Sequence, residues 1–213
     1  MNYTPLSSPT WQSFVADEKL TEAQAKQFQT YLHLLIEWNK RFNLTAITQP
    51  DEIIERHFRD SLSLRPFVEK HPSPTIADVG TGAGIPGIPL KIAMPDLKLI
   101  LIEVNQKKIS FLNEVISTLG LENVEIYPND WRTFIRKTSY PVNLFVARAS
   151  LQPKELLRIF NPSSPYNHAQ LVYFASQQWQ PDTHATPYIM HEERYGTGDR
   201  ERRLIFFSSK QQS

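Results

Sequence analysis

Residues 76–87 read Ile-Ala-Asp-Val-Gly-Thr-Gly-Ala-Gly-Ile-Pro-Gly. Three glycines at alternate positions, Gly80, Gly82 and Gly84, follow a short apolar run that carries Asp78. Only glycine lets a backbone turn sharply off a strand and lie directly against a ligand. Ile76 to Val79 reads as a buried strand and Ile88 to Met94 as the helix after it. Strand, glycine turn and helix together are the elements of a nucleotide-type cofactor site.

From Thr75 onward the pattern alternates strand and helix. Strands are predicted at Thr75–Val79, Lys98–Val104, Val124–Tyr127 and Asn143–Ala147, with helices at Ile88–Met94, Gln106–Leu119 and Trp131–Lys137. Gly120 is placed to end the second of these helices. Gln152–Phe160 reads as a further helix, Ala169–Ala175 and Arg202–Phe207 as strands, and the polar stretch 177–187 as a loop. Such alternation predicts an α/β fold, a mostly parallel Rossmann-like sheet with helices on both faces. Ahead of it, Thr21 and Gln24 form a capping box for an amphipathic helix carrying Phe28, Leu32, Leu35 and Ile36. Pro50 and Asp51 open a second helix, with Ile53, Ile54, Phe58 and Leu62 inward. His71 to Pro74 reads as a linker. The expected organisation is a helical extension over 1–74 and a cofactor-binding domain over 75–213.

Composition limits the chemistry. The chain of 213 residues has no cysteine, which removes disulfides, thiolate metal sites and cysteine nucleophiles. His33, His57, His71, His168, His184 and His191 show no metal-ligand spacing, so no metal is expected. A formal net charge of +1 gives no bulk signal for nucleic acid. No apolar run is long enough to span a membrane and the N-terminus lacks a secretory pattern. A cytoplasmic protein is expected, without a membrane partner, and a monomer.

Two cofactors compete for the turn. Gly82-Ala-Gly84-Ile-Pro-Gly87 matches a dinucleotide fingerprint, with Glu103 where an acid would hold a ribose. The same segment matches the Asp-x-Gly-x-Gly-x-Gly signature of S-adenosylmethionine sites. Asp78, the additional Gly80 and the lack of chain for a large substrate domain favour S-adenosylmethionine. In that reading Glu103 accepts both ribose hydroxyls. Asp130 accepts the adenine amine and Trp131 either stacks on the ring or serves as an ordinary core aromatic.

After the fourth strand stands Phe145-Val-Ala-Arg148-Ala-Ser150 rather than the Asn/Asp-Pro-Pro-aromatic motif of amine methyltransferases. Nothing there would strip a proton from an amine. That suits an acceptor with a free lone pair, such as guanine N7, which needs mainly proximity and orientation. Arg148 lies where ligands meet open α/β sheets and would fix guanine O6, a methionine carboxylate or a phosphate.

Taken together, Trp38-Asn39-Lys40-x-x-Asn43-Leu44-Thr45-x-Ile47, Arg56-His57-x-x-Asp60-Ser61-Leu62, Asp78 to Gly87, Lys107-Lys108-x-x-Phe111-Leu112 and Arg148-Ala149 resemble the bacterial 16S rRNA guanine-N7 methyltransferases of the glucose-inhibited-division-B type. The resemblance covers roughly residues 30–150. It implies methylation of one guanine in the decoding-region loop of 16S rRNA, with the small ribosomal subunit as partner. It carries S-adenosylmethionine contacts onto Gly80, Ile85, Trp131, Arg132 and Arg148. His57, Arg56, Asp60 and Asn43 would then surround the cofactor mouth or RNA entrance, with Arg148 and His57 as catalytic candidates. Without the family, His57 and Asp60 would simply pair with each other. Arg56, Arg59, Lys107, Lys108 and Arg202, with Asn43, are candidate RNA contacts. The chain departs from the family pattern at Ser176-Gln177, where Lys-Gly is usual, and at Asp130-Trp131-Arg132. Two other functions fit the same residues: methylation of a small molecule, and RNA binding without catalysis.

Overall fold

The computed structural model describes residues 6–71, 74–198 and 200–209, so part of the expected linker, residues 72 and 73, lies outside the described residues. The chain opens with α1 (Pro9–Asp17), which Ser8 caps by accepting the Trp11 N–H and which has proline at its first turn. Helix α2 (Glu22–Phe42) begins at the predicted Thr21/Gln24 capping box, with both reciprocal hydrogen bonds made. A third helical run, α3, passes from α-helix at Pro50–Ile53 through a π-helical turn at Ile54–Arg59 and back at Asp60–Leu62. The wide turn carries Arg56, His57 and Arg59, in keeping with the frequent placement of π-helix at working sites. Helix α4 (Arg65–Val68) ends the extension.

The cofactor-type unit follows as β1 (Thr75–Val79), α5 (Gly87–Ala93), β2 (Lys98–Ile102), α6 (Gln106–Leu119), β3 (Val124–Tyr127), α7 (Trp131–Lys137), β4 (Leu144–Arg148), α8 (Pro153–Leu156, tightening into a 3₁₀ turn over Leu157–Phe160) and β5 (Gln170–Ser176). Gly120 ends α6 in the left-handed conformation at φ +62°. Strands β6 (Ile189–Thr197) and β7 (Arg200–Phe207) form an antiparallel hairpin on the β5 edge. The sheet order is β3-β2-β1-β4-β5-β7-β6, with the first five strands parallel. No helix among the described residues is long and apolar enough to cross a membrane.

Alternation along the strands divides the core in two. Ile76, Leu99, Leu101, Val146 and Val172 face one way, against α5 and α6 and against Phe28, Leu32 and Phe58 of the extension. Ala77, Ile100, Phe145 and Leu171 face the other, against Trp131, Phe134, Leu157 and Phe160. The extension therefore shares its core with the sheet. Polar ties reinforce this: Gln24 Nε2 donates to the Ile92 and Ala93 carbonyls at the end of α5, and Gln27 Nε2 to Leu119 O at the end of α6. Helix-end carbonyls without internal partners are satisfied from outside.

Thr21→Ala removes the side-chain acceptor for Gln24 N. It is expected to destabilise the protein by about 1 kcal/mol, read as a lower urea midpoint, whereas Thr21→Ser should retain most of the stability.

Candidate active site

The strand order reverses between β1 and β4, and in open α/β sheets ligands bind in the crevice at that point. The chain leaves β1 through Gly80, at φ +64°, and β4 through Ala149, at φ +52°. Between these exits opens a cavity of about 620 Å³, walled by Gly80, Glu103, Asn129, Trp131, Ser150 and Glu155 among others. That size lies in the roughly 300–1,000 Å³ range typical of cofactor sites. The two exits press together: a Cβ on Gly80 would stand 2.7 Å from Ser150 Cβ. Ala149 carries a left-handed backbone without being glycine, which costs about 1–2 kcal/mol and sits on the cavity wall.

The three alternate glycines do different work. Gly80 lines the cavity, whereas Gly82, Gly84 and Ile85 do not. Gly82 N donates to Glu103 Oε2 at 2.9 Å, tying the turn to the end of β2. Gly84, at φ +90°, lets the loop lie on Ile88 and Leu112, which a Cβ would meet at 2.5 and 3.1 Å. Asp78 is buried beneath the turn, its Oδ2 accepting Thr81 Oγ1 at 2.6 Å and Gly87 N at 2.9 Å. Its Oδ1 has no partner, and burial pushes its pKa up to about 6.

Glu103, directly after β2, lines the cavity, and most of its acceptor positions are already taken. Its Oε1 already accepts Val104 N and Asn105 N, both at 2.9 Å. A carboxylate offers about four acceptor positions, so one remains, on Oε2. While these backbone bonds hold, Glu103 has room for one further donor, where the sequence reading expects two ribose hydroxyls.

On the next strand exit Asp130 caps α7, accepting Thr133 N at 3.0 Å and Thr133 Oγ1 at 2.7 Å. The Thr133 hydroxyl is the main reason its pKa is lowered. Trp131 is 4% exposed and stands edge-on to Phe145 at 5.3 Å, so most of the ring is core. It still contributes to the cavity wall, and its Nε1 donates to Glu155 O at 3.2 Å. Arg132 holds Glu155 through two bonds, of 2.7 and 3.1 Å. Asn129, which the sequence reading places with Asp130 and Trp131 after the third strand, also lines the cavity, whereas Glu155 and Ser150, whose buried Oγ has no partner, are lining residues that reading did not single out.

Arg148 turns away from the cavity toward the extension. Its Nε donates to Asp60 Oδ2 at 2.5 Å and its Nη2 to Arg56 O at 2.6 Å. The other Asp60 oxygen accepts Tyr195 OH at 2.8 Å and lies 3.3 Å from Arg202 Nε, an ion-pair distance without hydrogen-bond alignment. His57 does not pair with Asp60. Its Nε2 meets Thr45 Oγ1 at 2.9 Å and its Nδ1 lies 3.1 Å from Arg56 O and 3.3 Å from Arg148 Nη2. Thr45 in turn is fixed by Asn39, which bonds its backbone N and O at 2.8 and 2.9 Å. A further brace, unseen in the sequence, is Tyr31, whose buried hydroxyl donates to Ala83 O at 2.6 Å and so supports the glycine turn from α2. Burial raises the Tyr31 pKa.

The RNA candidates separate as well. Arg56 pairs with Glu52 at 3.3 Å, Arg59 with Asp17 and Glu55 at 3.0 Å each, and Arg202 with Asp60. Asn43 is the exposed left-handed cap of α2. Lys107 stands over the Phe42 ring at 5.6 Å, and Lys108 lines the cavity, its ammonium 3.9 Å from where a Gly82 Cβ would be.

Burial, and then the Arg148 cation, lower the His57 pKa from 6.5 to about 4. The unfolded imidazole binds its proton near 6.5 and the folded one only near 4, so His57 removes stability as pH falls between those values. Asp78, raised from 3.8 to about 6, acts oppositely, adding stability as pH falls through its own window. Comparing the protein with His57→Gln isolates the histidine. Its stability advantage over the variant, measured by urea unfolding, is expected to shrink from pH 7 to pH 4.5; a constant difference would contradict the neutral, buried assignment.

The family model for rRNA small subunit methyltransferase G matches residues 24–186, which contain every wall of the cavity. Ribosomal RNA small subunit methyltransferase G of Leuconostoc citreum is 51% identical over 109 residues, 50% of this chain and 46% of that protein. The Lachnoclostridium phytofermentans protein of the same name is 43% identical over 145 residues, 67% of this chain and 60% of the relative. That of Listeria monocytogenes is 36% identical over 164 residues, 76% and 69%. The match to the first two thus spans about half of their length. In fold, the chain is similar to a SAM-dependent methyltransferase from Aquifex aeolicus (TM-score 0.51, 17% identity, 73% of this chain and 93% of that one). It is likewise similar to precorrin-6y C5,15-methyltransferase from Geobacter metallireducens (TM-score 0.52, 12% identity, 79% and 91%). These structures support the α/β Rossmann-like architecture alone, whereas the family match extends through the extension, the glycine turn and Arg148: the chain belongs to the rRNA small subunit methyltransferase G family.

Proposed function

We propose that the protein transfers a methyl group from S-adenosylmethionine to N7 of a guanine in 16S rRNA of the small ribosomal subunit, in the cytoplasm. The observation that supports this most is the cavity at the β1/β4 switch point, enclosed by residues that match the family model. Its walls suit the cofactor. Gly80 allows close approach of a ligand, Glu103 keeps one acceptor position for a ribose hydroxyl, and Val104, 56% exposed, offers an apolar surface beside it. Two buried oxygens without partners, Asp78 Oδ1 and Ser150 Oγ, flank Gly80, one two residues before it and one packed against it. Ser150 belongs to the cavity wall and is the one suited to an aminoacyl end, whereas Asp78 lies beneath the turn, outside the lining. Bound S-adenosylmethionine would supply a methyl group activated by its sulfonium.

Guanine N7 already holds its lone pair in the ring plane, so the protein has to orient the base and exclude competing water. His57 is neutral and engaged on both ring nitrogens, and neither it nor Arg148 lines the cavity. We assign both as positioning residues that fix the β4 exit. Of the two cations at the cavity wall, Arg132 is held by Glu155 and Lys108 is the one suited to an RNA phosphate.

The reading is tested by incubating the protein with labelled S-adenosylmethionine and small subunits lacking N7-methylguanosine, then sequencing the modified nucleotide by mass spectrometry. One N7-methylguanosine in 16S rRNA is expected; label at another atom, or none, would contradict it. Glu103→Gln should weaken S-adenosylmethionine binding in calorimetry by roughly 10–100-fold, the effect of losing a charged hydrogen-bond partner.

A further inference from the structure

A second cavity, of about 470 Å³, adjoins the first, and Glu155 lines both. Lys154, Arg158 and Asn161 contribute to it from α8 and its end, while His184 and Tyr188 come from the segment leading into β6. Lys154, Arg158, Asn161 and His184 are exposed. The two rings stand 6.2 Å apart, and Tyr188 is held by stacking on buried Phe160, centroids 5.5 Å apart and planes 14° from parallel. Glu155, the acid in this lining, is already divided between Arg158 at 3.0 Å and Arg132 at 2.7 Å. Lys154 and Arg158 therefore leave the cavity short of negative charge.

Cations beside a held aromatic ring, with an amide at the edge, match the chemistry of a nucleotide: phosphate on the cations, base on the rings, polar base atoms on Asn161. We infer that this cavity takes a nucleoside monophosphate unit of single-stranded RNA, the neighbour of the guanine entering the first cavity. The inference rests on the methyltransferase reading for the placing of that guanine. A duplex would keep its bases stacked and out of reach, so unpaired RNA is the matching form. A free mononucleotide shares the chemistry, and the experiment separates the two.

The full-length protein is titrated into a fluorescein-labelled single-stranded pentaribonucleotide with a central guanine, at several salt concentrations, with GMP as competitor. The Lys154→Ala/His184→Ala variant alters two exposed side chains, and circular dichroism verifies its fold. The variant is expected to bind the oligonucleotide about tenfold more weakly, with a salt slope smaller by about 0.7 and unchanged S-adenosylmethionine affinity. Unchanged affinity and slope would overturn the inference. So would GMP binding as tightly as the oligonucleotide with the same loss in the variant, which would mark a free-nucleotide site. If the protein methylates no small subunit yet the variant weakens oligonucleotide binding as described, this subsite stands and the reading of the first cavity falls.

Discussion

One buried carboxylate holds the architecture to its site. Asp60, 1% exposed, sits in the extension and takes Arg148 from the end of β4, Tyr195 from β6 and Arg202 from β7. A carboxylate removed from water is costly unless it is paired and hydrogen-bonded, and breaking such a pair typically costs 3–5 kcal/mol. The end of β4 and the β6–β7 hairpin, both far from Asp60 in sequence, are thus obliged to meet it at one point. Arg148 is followed directly by the left-handed Ala149 and by Ser150, whose Cβ sets the limit on Gly80. The ion pair and the cavity wall are consecutive residues of the same strand exit.

The extension acts on the cofactor unit from a second direction. Tyr31 supports the glycine turn at Ala83, while Gln24 and Gln27 satisfy the ends of α5 and α6. Asn39, Thr45 and His57 form a chain of hydrogen bonds that ends against Arg148. The Asn-Leu-Thr and Arg-His-x-x-Asp-Ser-Leu segments therefore have a shared physical task, fixing where β4 releases the chain. The extension braces the cavity through these intermediaries and, among the described residues, contributes none of its lining.

Much of the fold was legible because its signals are local. The apolar run at 75–79, the Thr21/Gln24 box and Gly120 each act within a few residues, and β1, α2 and α6 stand where these signals place them. Helix α1 had a local signal that went unread, Ser8 followed by Pro9. Strand β6 gave almost none: it is an edge strand with a largely exposed, charged run, stabilised by pairing with β7 rather than by its own apolar period. The site was legible in part for the same reason. Gly80 and Glu103 follow from strand-end position, whereas the turning of Arg148 toward Asp60, 88 residues away, depends on tertiary packing. Ser150 is invisible as a lone serine and stands out only when its hydroxyl is found buried without a partner.

Asp60 and Arg148 work as one unit that sets the cavity. A double-mutant cycle with Asp60→Asn and Arg148→Gln, read by urea unfolding and by S-adenosylmethionine affinity, tests it most directly. Strong non-additivity is expected, with the double variant losing little more than either single one and a coupling of at least about 1.5 kcal/mol in stability. Losses that add within about 0.5 kcal/mol, with cofactor affinity untouched, would contradict it.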